Sequence, residues 1–513
     1  MQRKQHAGVA LIIMGVLVVA AAVFSSLPAV AAQPTPQVST PTQRDANDTV
    51  LFLPAVYKQS GTSEATLGFV AHEGMLLDYT NASTCQECHS AEVHSFATSN
   101  HYQWKGKLGS INDFCGYPDI NHGPAKLTTV SGTLVDGGCA ACHAGMGEKP
   151  TDSNPFNADC LICHSSEYRR TEVKVGDVWR FVPDRAKMPA TITIDEEPSR
   201  YSCLTCHAYA GGGCNNKRGD MSDALVTPSA EVDVHMGNGM SCVDCHLTDD
   251  HRIAGRGVDL RIDEGVTMRP CTDCHTPAAD HEPAILSHLD KVACQTCHIP
   301  EFARSVSTDM LRDYRAAEVN AKGLYEPVIT RGSNVIPAYA FWNGGSGFYN
   351  FGEPAVAGQA LAWPLGNIMD GLLYPFKLHT AILPQDPVSG AILPVKSKIL
   401  FETGNMDLAI LTGAAEAGFT LTEGYTFTQT TRWMGIFHEM PPADQALDCV
   451  ACHEATGRID FSALGYDPKL TRDNQPLCIS CHEREDQPDF YALHANHVQE
   501  QQVACSECHE FTR

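Results

Sequence analysis

The pentapeptide C-x-x-C-H recurs ten times in this chain of 513 residues, and its residue types could together hold an iron porphyrin. Each thiol can add to one vinyl group of the porphyrin, and the histidine after the second cysteine can bind the iron. On a helical turn, positions i, i+3 and i+4 share one face, so both sulfurs and the imidazole meet the same porphyrin. Zinc uses the same ligand types, but zinc sites do not normally carry a histidine after every second cysteine. The motif therefore predicts ten covalently attached haem c groups.

The ten motifs contain twenty of the 22 cysteines and leave only Cys115 and Cys214 outside. The predicted thioether residues are Cys85, Cys88, Cys139, Cys142, Cys160, Cys163, Cys203, Cys206, Cys242, Cys245, Cys271, Cys274, Cys294, Cys297, Cys449, Cys452, Cys478, Cys481, Cys505 and Cys508. The predicted proximal ligands of the irons are His89, His143, His164, His207, His246, His275, His298, His453, His482 and His509.

A haem that only transfers electrons needs a sixth ligand, most often a second histidine. Beyond residue 32 the chain has twelve histidines outside the motifs, nearly one for every iron. Ten are predicted to be distal ligands: His72, His101, His235, His251, His281, His288, His379, His438, His494 and His497. His94 and His122 are left out of this set. An iron bound by two histidines is closed to substrate, whereas a catalytic haem needs an open or displaceable sixth position.

The length of chain available to each haem predicts the fold class. Roughly 480 residues follow position 32, about 48 for each haem, which is too little chain for a conventional apolar core. We therefore expect the haems themselves to form the core of a multihaem cytochrome c. We also expect a mainly α fold of short helices with much irregular chain.

A stretch without motifs, residues 299–448, separates the seventh motif from the eighth. Within it, MDLAILTGAAEAGF (406–419) has helical periodicity and a glycine near its end, so it predicts a helix. The following TLTEGYTFTQTTRWMGIF (420–437) is rich in Thr, Tyr and Phe and predicts a hairpin.

The first 65 residues predict export. Residues 1–32 combine a basic start, an apolar run and an A-x-A site at Ala29–Ala31, as in a secretory signal peptide. The apolar run is long enough that an uncleaved N-terminal membrane anchor is the alternative. Residues 33–65 are expected to be a linker, because their first half is rich in Pro, Thr and Gln. Both alternatives place the haem-bearing chain in the periplasm or outside the cell.

The formal net charge of −24 excludes nucleic acid as a natural partner. It suits a redox partner with a basic surface, and it also keeps an exported protein soluble.

Several stretches resemble, in the same order, the octaheme tetrathionate reductase family of the hydroxylamine oxidoreductase class. They are SNHYQW (99–104), INDFC (111–115), CAACHAG (139–145), CLICH (160–164), CLTCHAYAGGG (203–213), DVHM (233–236), CQTCHIPEFAR (294–304), PFKLHTAILPQD (375–386) and ALDCVACHEATGRIDFSALGYD (446–467). The resemblance spans about residues 70–467 and eight motifs, so we expect an octahaem body at 66–467. Residues 468–513 add two motifs and form a C-terminal dihaem extension.

The resemblance implies one unusual haem whose distal ligand is a lysine, with Cys, Asn and Asp nearby. The Asn-x-x-Cys pattern matches Asn112 and Cys115, and the Asp-x-x-Lys pattern matches Asp184 and Lys187. Lys187 would bind the iron of the second motif, or of the third. A neutral lysine is displaced more easily than an imidazole, so a substrate could take its place. The resemblance also admits a calcium ion, without naming its ligands.

Less specific interpretations of these residues stay open. Lys187 could be an ordinary solvated lysine. Cys115 could pair with Cys214 in a disulfide, which an exported protein permits.

Two functions follow from these patterns. The first is a reductase that delivers electrons to tetrathionate, nitrite or hydroxylamine, with Lys187, Cys115, Asn112 and Asp184 at the site. The second is an electron conduit, a periplasmic shuttle or a filament subunit, in which every iron has two histidine ligands. A quinol dehydrogenase or another cytochrome would be the redox partner, and the extension could also join subunits of a homo-oligomer.

Overall fold

The computed structural model of the protein describes residues 72, 79–103, 110–112, 117–119, 144–146, 153–175, 178–189, 192–255, 265–281, 283–286, 288–321, 323–448, 450–453, 458–468, 497, 500–503 and 508–511. The predicted signal segment and linker lie outside the described residues.

The motif-bearing part before residue 299 consists of short helices joined by irregular chain. Its helices are α1 Ser83–Gln86, α2 Ser90–Thr98, α3 Asn100–Gln103, α4 Leu161–His164, α5 Arg200–His207, α6 Val234–Gly237, α7 Pro277–Asp280, α8 Pro283–Leu286 and α9 Cys294–His298. Two-stranded ladders are formed by β1 Ser110–Asn112 with β2 Tyr117–Asp119, β3 Arg170–Val175 with β4 Val178–Pro183, and β5 Thr248–Asp249 with β6 Arg252–Ile253. Several of the helices and 3-10 turns coincide with motifs, so local helical turns present the motif side chains.

A seven-stranded mixed sheet occupies the stretch without motifs. Its strands are β7 Thr308–Val319, β8 Tyr325–Gly332, β9 Ala338–Trp342, β10 Ser346–Phe348, β11 Gln359–Pro364, β12 Leu372–Gln385 and β13 Thr426–Gly435. The strands lie in the order β10-β11-β13-β12-β7-β8, and β9 pairs with the start of β12. The later helices are α10 Ser397–Thr403, α11 Met406–Glu416 and α12 Val450–His453, and a last ladder joins β14 Tyr466–Pro468 to β15 His509–Phe511.

The expected mainly α fold is wrong. The structure is 27% helix and 24% strand, and its sheet contains the 14-residue strand β12. The reason is that residues 299–448 carry no haem motif and bury their own side chains. A cluster of fourteen buried apolar residues joins the sheet to α10 and α11. The apolar clusters between residues 79 and 236 have only three to five buried members.

The two local predictions for this stretch had different outcomes. The helix is confirmed as α11. Its N-cap is Asn405, whose side chain accepts a hydrogen bond from the Leu408 amide at 2.9 Å. The hairpin predicted at 420–437 is wrong, because that segment forms the single strand β13. β13 pairs antiparallel with β12, which precedes it in the chain by two helices.

A buried lysine forms hydrogen bonds between the sheet and the loop after the fourth motif. Lys377 in β12 has no exposed surface, and its Nζ donates to the carbonyl oxygens of Asn216 and Lys217 at 2.7 and 3.0 Å. It also donates to Thr308 Oγ1 at 2.6 Å. These bonds fix the motif-bearing chain against the central strand of the sheet.

Candidate haem sites

Among the described residues, six motif histidines each face a second histidine that the sequence predicts to be a distal ligand. The separations of the ring centres lie between 5.9 and 6.4 Å. The pairs are His72–His89 (5.9 Å), His101–His207 (6.1 Å), His164–His251 (6.4 Å), His235–His275 (6.0 Å), His246–His438 (6.1 Å) and His281–His298 (5.9 Å).

This spacing fits an iron between the two rings. A metal–imidazole bond is about 2 Å long and a ring centre lies about 1 Å behind its nitrogen, so two opposed ligands place their ring centres about 6 Å apart. Imidazoles stacked in direct contact would lie closer. The donor sets and spacings therefore suit haems of the first, third, fourth, fifth, sixth and seventh motifs.

The relative orientation of the paired rings divides the six sites into two groups. The ring planes are nearly parallel in His72–His89 and His246–His438, at 22° and 13°. They are steeply inclined in the other four pairs, at 62° to 85°.

Several ring nitrogens that would face away from the iron are held by hydrogen bonds. His246 Nδ1 lies 2.7 Å from the Ala254 carbonyl oxygen, and His164 Nδ1 lies 2.9 Å from that of Asp195. His281 Nδ1 lies 3.2 Å from its own helix, at the Pro277 carbonyl oxygen. Metal-binding histidines typically donate their second N–H in this way, which fixes the ring and leaves Nε2 for the metal.

A buried carboxylate orients the predicted distal ligand His438. Asp220 has no exposed surface, and its Oδ2 accepts from His438 Nδ1 at 3.1 Å and from the Phe437 amide at 2.7 Å. Burial alone would raise the pKa of Asp220, but Arg218 and the His438 hydrogen bond hold it well below its usual range. The carboxylate therefore stays charged and increases the basicity of the imidazole.

Glu439 is a second buried carboxylic acid at this site. Burial, with the nearby charge of Asp220, raises the pKa of Glu439 to about 7. Its Oε1 accepts from Ser222 at 3.2 Å, and its Oε2 accepts from the Arg304 amide at 3.3 Å. The sequence analysis did not identify Asp220 or Glu439 as site residues. Glu439 could have been noticed because it directly follows the predicted ligand His438 in GIFHEMPP.

The motifs themselves are in contact with one another. The side chains of Cys85 and Cys160, of Cys203 and Cys242, and of Cys271 and Cys294 lie beside each other. The first motif thus lies beside the third, the fourth beside the fifth, and the sixth beside the seventh.

Electrostatic neighbours connect these pairs into a series. Cys163 lies close enough to Cys203, and Cys245 close enough to Cys271, for an electrostatic interaction. The third motif is therefore near the fourth, and the fifth is near the sixth. Cys297 of the seventh motif and Cys452 of the eighth both lie close enough to Tyr339 to interact with it electrostatically. Described cysteines of the first motif and of the third to eighth motifs therefore lie near those of a neighbouring motif.

The predicted lysine ligand lies beside its predicted aspartate. Lys187 ends a 3-10 turn, its side chain is 68% exposed, and its Nζ lies 2.9 Å from Asp184 Oδ2. The Phe181 amide donates to the Met146 carbonyl at 3.0 Å, so the chain just before Asp184 packs against the chain just after the second motif. A lysine nitrogen can bind a metal only as the neutral amine.

The remaining site residues are described in part or not at all. His379 is fully buried in β12, opposite Arg432 of β13, and His288 and His497 are half-buried. For Asn112, His453 and His509 only the backbone is described, in β1, α12 and β15. The predicted residues outside the described part are Cys115, Cys139, Cys142, His143, Cys449, Cys478, Cys481, His482, His494 and Cys505.

Cys214 is half-buried, and its sulfur accepts from the Asp223 amide at 3.5 Å. It forms no disulfide with any described residue. The pairing with Cys115 remains a prediction because Cys115 lies outside the described part.

Two features are absent among the described residues. No group of three or more His, Cys, Asp or Glu side chains there is arranged to hold a metal ion, so the calcium ion stays a prediction without ligands. No helix among the same residues has the length and apolar character needed to cross a membrane.

Comparison with known proteins connects the chain to cytochromes c. A family described as "Cytochrome c bacterial" matches residues 320–456, and one described as "Cytochrome c554 and c-prime" matches residues 459–510. An uncharacterized protein of Archaeoglobus fulgidus is 28% identical over 250 residues, which cover 38% of this chain and 82% of the relative. The solved structure of octaheme cytochrome c from Shewanella oneidensis is similar with a TM-score of 0.60 and 28% identity. That similarity covers 75% of this chain and 94% of the Shewanella chain.

Proposed function

Since this chain is a multihaem c-type cytochrome with covalently bound haem c, similar to octaheme cytochrome c, we propose that it carries ten haems and works as an exported reductase. Electrons pass along haems with two histidine ligands to a lysine-ligated haem at the second motif. The substrate is a small sulfur or nitrogen compound of the class of tetrathionate, nitrite or hydroxylamine.

The observation that carries the proposal is the Asp184–Lys187 pair beside the chain that follows the second motif, and the six facing histidine pairs support the path of electrons to it. Closed irons of this kind accept and release electrons without binding substrate. A series of them needs a terminal site, and the Asp184–Lys187 pair beside the chain that follows the second motif is the candidate.

The chain's own residues would perform the positioning and proton chemistry at this site. Asp184 lies 2.9 Å from the Lys187 nitrogen, and with Asn112 it positions the substrate and supplies or orients protons. When substrate displaces it, the lysine stabilises developing negative charge. Cys115 acts as nucleophile or hydrogen-bonding partner. The bound haem supplies the electrons.

The boundaries and partners belong to the same proposal. Residues 66–467 form the octahaem body, and residues 468–513 form a dihaem port that receives electrons from a quinol dehydrogenase or another cytochrome. Residues 1–32 direct export or anchor the chain at the membrane.

An electron conduit is the second candidate, and the six facing histidine pairs also favour it. In that case Lys187 is a surface lysine and every iron has two histidine ligands. The extension then joins neighbouring subunits of a filament or meets a partner cytochrome.

Electron paramagnetic resonance of the fully oxidised protein separates the two functions. The inclination of the ring planes predicts two low-spin centres with nearly parallel imidazoles and at least four with steeply inclined imidazoles, which differ in g-anisotropy. The reductase adds one low-spin centre with a histidine–amine signature that disappears in Lys187→Ala. A spectrum made only of bis-histidine centres, unchanged in Lys187→Ala, leaves the conduit.

A further inference from the structure

A fully buried carboxylate, Asp159, lies where the first and third motifs meet. It has no exposed surface and directly precedes Cys160, the first cysteine of the third motif. The Cys160 side chain lies beside Cys85 of the first motif. None of the roles proposed above uses this acid.

Three side chains donate hydrogen bonds to the Asp159 carboxylate. The Tyr79 hydroxyl reaches Oδ1 at 2.9 Å, the Tyr168 hydroxyl reaches Oδ2 at 3.2 Å, and Arg170 Nη1 reaches Oδ2 at 3.3 Å. The Tyr79 hydroxyl also accepts from the Cys160 amide at 3.0 Å. The carboxylate is therefore connected through one tyrosine to the backbone of the third motif.

Two opposing effects determine whether Asp159 is charged or neutral. Burial raises the pKa of Asp159 above its usual value, and the guanidinium of Arg170 opposes that shift. The Arg170 side chain is 9% exposed, and its Nη1 lies 3.3 Å from Asp159 Oδ2. The titratable and charged groups that face the site among the described residues are Tyr79, Tyr168 and Arg170, together with Arg185, which binds the Tyr79 carbonyl. Cys85, Cys160 and Cys163 also lie near it, but as haem thioethers they would not titrate.

We propose that Asp159 is a proton-binding site coupled to the electrons carried by the haems of the first and third motifs. One electron from a donor protein converts a ferric to a ferrous iron, and Asp159 takes up one proton from solvent to become a neutral carboxylic acid. Loss of the electron to the next acceptor releases the proton. The proposal requires haem attachment at these two motifs and does not depend on the reductase reaction, so it holds for a conduit as well.

The direction of the coupling follows from electrostatics. An added electron makes the surroundings of Asp159 more negative, and charges interact strongly in a buried site. The neutral form of the acid is then favoured, so its pKa is higher in the reduced protein than in the oxidised protein. Between these two pKa values, the midpoint potential of the coupled haem falls as the pH rises.

Redox titration of the holoprotein at a series of pH values, followed by visible spectroscopy, tests the proposal. The parent should show at least one couple whose potential falls by up to about 59 mV for each tenfold drop in proton concentration, the limit for one electron and one proton. Asp159→Asn keeps the shape of the side chain but cannot titrate, so this slope should vanish. The coupled potential should then stay at its low-pH value. A slope of the same size in Asp159→Asn would overturn the proposal.

A milder variant covers the case in which Asp159→Asn does not fold. Tyr168→Phe removes one donor to the carboxylate, which destabilises the charged form, so the sloping region should move to higher pH. Tyr349→Phe is the matched control, because Tyr349 is also buried, at 3% against 6% exposure, but lies in the apolar cluster of the sheet. The control should leave the titration unchanged. An unmoved sloping region in Tyr168→Phe, or an equal shift in the control, would count against the proposal.

Discussion

Replacing Lys187 by alanine should lower the rate of substrate reduction by about 100-fold or more, the loss typical of removing one preorganised charged group from an active site. The assay follows oxidation of a reduced dye by tetrathionate, nitrite and hydroxylamine in turn. The large effect is expected because Lys187 is proposed both to close the sixth position of the iron and to stabilise charge on the substrate. The spectra of the haems with paired histidines should not change.

Lys398→Ala is the matched control for this experiment. Lys398 is also an ion-paired lysine, 3.7 Å from Glu402, but it lies on α10 beside the sheet. Its replacement should leave all three rates unchanged. If Lys187→Ala reduces all three compounds at the parent rate, Lys187 has no catalytic role and the conduit is the better account.

The second large effect concerns folding without haem. Chain produced without haem attachment should lose its entire free energy of unfolding in the motif-bearing part, about 5–15 kcal/mol for an ordinary domain. The reason is that buried apolar clusters between residues 79 and 236 have only three to five members, too few to offset the conformational entropy of that much chain.

Limited proteolysis followed by mass spectrometry checks this expectation. Cleavage should be fast throughout residues 79–298, and strands β12 and β13 should be protected longest because the cluster of fourteen buried apolar residues packs against them. The holoprotein under the same conditions is the control. Equal resistance of the haem-free and haem-bearing chains would show that the polypeptide alone forms the core.

The sequence predicts which residues form the haem sites better than how they pair. The spacing of cysteine and histidine is local, so it can be found in the sequence. The partner of His246 is His438, which follows β13, so every strand of the large sheet separates the two in the chain and no local pattern carries that information. Within the part of the chain that the structure describes, six predicted distal histidines face motif histidines.

The fold was predicted only in part. The helix α11 has a local periodicity and an N-cap, so the sequence reveals it. The sheet depends on pairing between β12 and β13, strands separated by two helices, and the wrong hairpin came from treating β13 as paired with its neighbour. Buried acids such as Asp159 and Asp220 have no distinctive sequence pattern, because only the folded chain removes them from water.

Counting the haems that remain attached to the denatured mature protein is the most direct test of this account. The account predicts ten haems and ten irons per chain, all retained after extraction with acidified organic solvent, because each is held by two thioether bonds. Haem that is extracted by the solvent, zinc in place of iron, or protein without colour would contradict it.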